Sequence, residues 1–231
     1  MKPLFITGTD TGIGKTTVST ILLKEFNKKG YKTVGLKPLA SGCVLNVKNK
    51  LENEDALILQ KSASIFCKYE TINPIALMEA IAPHLAAQKI KITLTKKQLS
   101  EKILSSINKD ADINIIEGAG GWCIPLNDHE LFSDTIVGLK IPVILVIAIR
   151  LGCLNHAILT FQNMLQQQAN LIGWIANCID PNMLEISDNI DTLKQWIKKP
   201  CLGIVKNNQY DNAEININLI EEILFQQGSI A

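Results

Sequence analysis

Residues 4–17 read LFITGTDTGIGKTT, and this stretch decides the fold. A short apolar run empties into a loop of Gly, Thr and Asp, then Gly14-Lys15-Thr16, then a helical pattern. Strand, glycine-rich loop and helix in that order make a cradle for a phosphate chain. Backbone N–H groups approach the phosphates, a lysine reaches the β/γ oxygens, and a Ser or Thr hydroxyl ligates Mg²⁺. Gly12, Ile13, Gly14, Lys15, Thr16 and Thr17 are therefore the expected residues around a nucleotide's phosphates. The regular pattern G-x-x-x-x-G-K-[ST] would put glycine at position 9, where this chain has Thr9, with Gly8 one residue early. Gly12 and Gly14 still relieve the crowding. The bland alternative is a glycine-rich turn that binds nothing.

Outward from this loop, apolar β-rich runs recur at 4–7, 33–36, 113–116, 143–149, 171–176 and 201–205. Helical patterns fall between them, at 15–29, 54–63, 81–89, 95–109, 133–140, 155–168, 184–198 and 216–226. Strands apolar on both faces that alternate with helices predict a mostly parallel sheet covered on both sides. The fold class is thus α/β, doubly wound and P-loop NTPase-like. Gly30 is expected to close the first helix, and Ser133 or Asp134 to open another. Residues 40–95 lack a clean strand and are expected as helices and loops at the carboxyl edge of the sheet, where open α/β sheets bind ligands. With no repeat, low-complexity tract or linker, residues 1–231 are expected to form a single domain.

A formal net charge of +1 supplies no global field for nucleic acid or anionic lipid. Six cysteines without a CxxC pair, and only three histidines, lack zinc spacing. The start MKPLFITG has too short an apolar run for a signal sequence, and the most apolar stretch, residues 141–149, is strand-sized rather than membrane-spanning. The expectation is a soluble cytoplasmic protein with neither nucleic acid nor membrane as partner.

A nucleotide site also needs a carboxylate for its metal at the end of a neighbouring strand. INIIEGAGG (113–121) supplies Glu117, followed by Gly118, Ala119, Gly120 and Gly121, whose backbone can approach a γ-phosphate. The alternative is a strand that ends in an ordinary tight turn. Asp55, in ENEDALILQ, is a second candidate; alone it reads more readily as a helix-start acid stabilised by the dipole. In GLKPLASG, Pro38 keeps Lys37 extended at a strand tip, with its ammonium directed over the sheet edge. There Lys37 can stabilise charge on a transferred phosphoryl group. Ser41-Gly42 makes an exposed turn that carries a hydroxyl.

Taken in order, TGTDTGIGKT, GLKPLASG, EDALIL, PHLAAQ, IIEGAGGWCIPL, PVILVIAIRLGCLNHAILT and GWIANCI resemble the dethiobiotin synthetases, enzymes of biotin synthesis. The match runs from about residue 3 to residue 180 and weakens beyond it. The resemblance implies that MgATP, CO₂ and 7,8-diaminononanoate give a cyclic urea, ADP and phosphate. One amine takes up CO₂ as a carbamate, whose oxygen attacks the γ-phosphate, and the second amine closes the ring on the mixed anhydride. Lys15 and Lys37 would neutralise developing charge, while Thr16, Asp55 and Glu117 hold Mg²⁺. By the same resemblance Thr11 is catalytic with those two lysines, and Thr11 and Ser41 contact the diamine or its carbamate. Gly118, Ala119 and Gly120 would line the reacting end, and Asn177 would contact adenine. Gly152, Cys153, Leu154 and Asn155 would bind the substrate carboxylate across a homodimer interface. Read without the resemblance, Asn155 is equally a plain helix cap. His84, His129 and His156 are expected to be structural. Departures from the family pattern are GIVKNN (203–208), where Gly-x-Ile-Pro is common, and Ala80 in place of a common Pro. Asn189 stands where some relatives carry a substrate-binding Tyr.

Rival readings lack their signatures. Partition- and switch-type ATPases use a second lysine in K-G-G-x-G-K-[ST], where this chain has Asp10 and Thr11. A guanine-reading N-K-x-D is only half present, since Cys178 separates Asn177 from Ile179-Asp180. An amidotransferase would need a glutaminase domain, for which too little chain follows residue 180. A scaffold would leave the lysines, threonine and carboxylates without purpose.

Overall fold

The computed structural model describes residues 1–207 and 213–226. The chain starts with β1 (Lys2–Gly8), α1 (Lys15–Lys28) and β2 (Thr33–Leu36). It then leaves the sheet through β3 (Leu39–Ala40), β4 (Val44–Leu45), β5 (Leu51–Glu52), α2 (Glu54–Ser62), α3 (Tyr69–Ile72), β6 (Ile75–Ala76), α4 (Pro83–Lys89) and α5 (Lys96–Ser106). It returns as β7 (Ile113–Glu117), α6 (Phe132–Gly138), β8 (Val143–Ala148), α7 (Cys153–Gln166), β9 (Leu171–Asn177), α8 (Ile186–Trp196), β10 (Cys201–Val205), β11 (Glu214–Ile215) and α9 (Ile217–Gln226).

Among the described residues the main sheet runs β11-β10-β9-β8-β1-β7-β2. Every pair is parallel except β10–β11. Side-chain alternation explains the two covered faces. Leu4 and Ile6 point towards Val18, Leu22 and Phe26 of α1 and Ile220 of α9, whereas Phe5 points towards Phe132 and Ile136 of α6. Val143, Leu145 and Ile147 join the second layer with Phe161 of α7 and Leu193 of α8. Central strands buried on both sides read as unbroken apolar runs for this reason.

The departures from expectation are local. Residues 40–95 do contain strands, two pairs of two-residue strands, β3–β6 and β4–β5, too short to leave a period in the sequence. The one-turn α3 was not expected either. The sixth helix opens at Phe132, not at Ser133 or Asp134. Asp134 instead sits one turn in and accepts from the Leu131 N–H at 2.7 Å, the reciprocal half of a capping box. The seventh begins at Cys153, because Gly152 takes φ +90° and forms the cap through its backbone; Asn155 is therefore inside the first turn and is not the cap. Gly30, at φ +87°, does end α1 as expected. Ser41 and Gly42 are half-buried rather than exposed. Asn208 of GIVKNN lies outside the described residues.

Candidate active site

Parallel pairing brings the expected residues to one edge. Ile6 of β1 stands opposite Glu117 at the end of β7, so the phosphate loop that follows β1 and the glutamate lie side by side. β2 flanks β7 on its other side and delivers Lys37 to the same edge. The Thr16 hydroxyl donates to Glu117 Oε1 at 2.9 Å. Lys37 Nζ donates to Glu117 Oε1 at 2.5 Å, to Asp55 Oδ2 at 2.8 Å and to the Gly118 carbonyl at 3.2 Å. Asp55 arrives from the first turn of α2, whose N-cap Asn53 accepts from the Ala56 N–H. Residues separated by up to 101 positions thus form one cluster.

Electrostatics follow from this crowding. Burial acts most strongly on Lys37 and would lower its pKa, but Glu117 and Asp55 together overcome it, and the pKa is raised. Asp55 is the mirror case: partial burial opposes its charge, yet Lys37 and hydrogen bonds from Lys37 and Thr16 hold its pKa below the usual range. Lys15 Nζ donates to the Asp10 carbonyl at 2.8 Å. Glu117 is fully buried, and its Oε2 has no hydrogen-bond partner among the described residues. An unpaired buried carboxylate oxygen costs free energy unless something else is bound there.

The phosphate loop is held from behind. Asn177, buried at the end of β9, donates from Nδ2 to the Ile13 carbonyl at 2.7 Å. Gly14 has φ +84°, and a Cβ there would lie 2.1 Å from that same Nδ2. Gly14 opens α1 without a side-chain cap, so the first N–H groups of the helix stay available to an anion. Thus Asn177, expected at adenine, is seen as a support of the loop.

A cavity of about 500 Å³ opens in front of the cluster, lined by Thr11, Lys37, Ser41, Asp55, Ala119 and Gly120 among others. Ala80 and Pro83 form part of its wall. A shallower hollow of about 380 Å³ continues from Thr11 past Trp122 and Cys123 to Leu159, Thr160 and Asn163 of α7. Gly152, Cys153, Leu154 and Asn155 line neither, so within one chain the structure does not bring them to the other expected residues. Their nearest link is Arg150, just before them, which pairs with Asp10 of the phosphate loop at 2.8 Å. Sequence reasoning passed over that pair, and nothing in the spacing of Asp10 and Arg150 signals it.

Fold and site together define a nucleoside-triphosphate-binding protein of the P-loop class. The septum site-determining protein MinD complexed with Mg-ADP, from Pyrococcus horikoshii OT3, shares the fold with a TM-score of 0.59 at 18% identity, covering 100% of this chain and 98% of that one. A chain of the MinC:MinD cell division protein complex of Aquifex aeolicus gives 0.52 at 13% identity, covering 99% of this chain and 98% of that one. At such identities the likeness speaks for the fold alone. A family model described as an AAA domain matches residues 2–214. The ATP-dependent dethiobiotin synthetase BioD of Pseudoalteromonas translucida (strain TAC 125) is 46% identical over 204 residues, 88% of this chain and 89% of its own. The enzyme of the same name from Cellvibrio japonicus (strain Ueda107) is 45% identical over 204 residues, with the same coverage. That of Wigglesworthia glossinidia brevipalpis is 42% identical over 208 residues, 89% and 91%. The chain belongs to the ATP-dependent dethiobiotin synthetase family.

Proposed function

We propose that this chain closes 7,8-diaminononanoate and CO₂ into the cyclic urea dethiobiotin at the expense of ATP, through a carbamate and a carbamic–phosphoric anhydride. The observation that carries the reading is one cluster in which Thr16 and Lys37 both donate to Glu117 and Lys37 also donates to Asp55, beside a cavity lined, among the described residues, by no Cys or His. Such a site has charge and positioning to offer, and among the described residues that line it no Cys or His stands ready to form or activate a nucleophile, which suits phosphoryl transfer between two substrates.

The residues present fit Mg²⁺. The unpartnered Glu117 Oε2, the Asp55 carboxylate and the Thr16 hydroxyl are all hard oxygen donors within one cluster. When bound there, the ion would neutralise charge on the phosphate oxygens. Lys15 exchanges the Asp10 carbonyl for a phosphate oxygen, and Lys37 meets the γ-phosphoryl group from the cavity side. Gly12 to Thr17 wrap the phosphates with backbone N–H groups and the start of α1. The hydroxyls of Thr11 and Ser41 orient the diamine and its carbamate, and the backbone from Gly118 to Gly120 lies along the reacting end. The carbamate oxygen bonds to the γ-phosphorus as ADP leaves; the second amine then bonds to the carbamoyl carbon, loses a proton, and phosphate departs.

We read residues 1–231 as one catalytic domain that works as a cytoplasmic homodimer. Among the described residues no helix is long and apolar enough to cross a membrane. Gly152 to Asn155, remote from the cavity of their own chain, would serve the substrate carboxylate in the partner's site. Leu151, 93% exposed beside them, and Leu159, 57% exposed on α7, support an apolar contact at that face. Isotope transfer tests the route: with C¹⁸O₂ as substrate, label should appear in inorganic phosphate. Unlabelled phosphate alongside labelled product would exclude the anhydride.

A further inference from the structure

Lys37 and Asp55 are fixed relative to each other by a closed circuit of hydrogen bonds whose links through Tyr69 and Asn73 lie outside the cavity lining. Asn73 Nδ2 donates to the Lys37 carbonyl at 2.6 Å. Asn73 Oδ1 accepts from the Tyr69 hydroxyl at 2.9 Å. The same hydroxyl accepts from the Asn53 N–H at 2.7 Å. Asn53 is the N-cap of α2, and Asp55 stands two residues further on. The circuit closes where Asp55 Oδ2 accepts from Lys37 Nζ at 2.8 Å.

None of these bonds belongs to a helix or sheet ladder, and the element that carries them has little stability of its own. α3 is four residues long, and a helix that short does not persist alone. It is anchored at both ends: Ile72 O accepts from the Lys37 N–H at 2.9 Å, and Tyr69 reaches the start of α2. Asn73 is 3% exposed, so each of its amide atoms needs its partner. Neither Tyr69 nor Asn73 lines the cavity, whereas Lys37, Asn53 and Asp55 all do.

We infer that Tyr69 and Asn73 are positioning residues for phosphoryl transfer, which set the distance and angle between the Lys37 ammonium and the Asp55 carboxylate. This inference rests on the function proposed above. Tyr69→Phe deletes the shared hydroxyl and leaves Asn53 N–H and Asn73 Oδ1 without it; Asn73→Leu cuts the circuit at the next link. Two cuts in one circuit are worth no more than one, so the double variant should fall no further than the worse single variant.

The test compares these variants with Ile220→Ala, a fully buried position of α9 on the opposite face, as a control for lost stability. Two readouts are taken: diamine-dependent kcat and KM for ATP, and the rate at which Lys37 is reductively methylated, followed by mass spectrometry. Expected are a fall in kcat of about tenfold or more in either single variant, as slight misplacement at a reacting centre produces, and a KM for ATP within about twofold. Lys37 should become modified faster in both variants and remain protected in Ile220→Ala. Wild-type kcat with Tyr69→Phe, additive losses in the double variant, or unchanged protection of Lys37 would overturn the inference. If the unaltered chain shows no diamine-dependent turnover, the proposed function fails instead, and Lys37 protection still decides the positioning claim.

Discussion

Lys37 Nζ and Glu117 Oε1 lie 2.5 Å apart, though 80 residues separate them in the chain. Both side chains are almost wholly out of water, with the ammonium 6% and the carboxylate 0% exposed. A buried pair of this kind is weak evidence for stability, because desolvation offsets much of the attraction. Its arrangement suits the role proposed for it above, a store of charge beside a transferred phosphoryl group.

Lys37→Met would leave Glu117 buried without its cation. Breaking a buried pair by removing one partner costs about 3–5 kcal/mol, so the urea midpoint should drop clearly. Turnover should fall at least about a hundredfold while KM for ATP changes little, because the lost interaction acts on the transition state. Denaturation and steady-state kinetics on the same preparation check both.

The two carboxylates should differ in their hold on metal. Glu117 is buried with an unpartnered Oε2, whereas the Asp55 side chain is 42% exposed and already paired with Lys37. Glu117→Gln should raise the Mg²⁺ concentration needed for half-maximal ADP binding by at least about tenfold, and Asp55→Asn by less. Calorimetric ADP titrations at a series of Mg²⁺ concentrations measure this.

Proton uptake should accompany nucleotide binding. Lys15 titrates near 8 in the free chain, below its ordinary 10.5, so folding penalises its charged form. Stability is therefore greatest above pH 10.5 and falls as pH drops from there to about 8, by on the order of 3 kcal/mol, with no further loss from this group below that. Triphosphate oxygens would restore the charged form and raise the pKa. At pH 8.5, ATP binding should therefore take up protons, and its measured enthalpy should depend on the ionisation enthalpy of the buffer. Lys15→Met should remove that dependence.

Asn177→Ala removes the donor to the Ile13 carbonyl and opens space behind Gly14. A buried acceptor left unpaired costs about 1–3 kcal/mol, and the loop that meets the phosphates loses its backing. Melting temperature should fall by several degrees and KM for ATP should rise, with kcat for bound substrate less affected. A wild-type KM would show that the phosphate loop does not depend on this support.

Much of this was legible in the chain itself. VILVIA in β8 and LIGWIAN in β9 are buried along their whole length, so their unbroken apolar character reads directly as a covered parallel strand. Thr16, Lys37 and Glu117 sit at strand ends or in the phosphate loop, where type and position already point to chemistry. What stayed hidden depends on distance in space. Tyr69 and Asn73 are ordinary residues of a short excursion until the fold puts one phenol against both Asn53 and Asn73. The start of α7 was misplaced because its cap is a backbone conformation at Gly152 and not a side chain. β11 pairs only two residues, antiparallel, at the sheet edge, too few to leave a pattern.

The measurement that bears most directly on the account is phosphate release by the purified chain with MgATP and bicarbonate, with and without 7,8-diaminononanoate, alongside the product mass. Phosphate is expected only when the diamine is present, with a product heavier than the diamine by CO₂ less water. ATP hydrolysis indifferent to the diamine would contradict it.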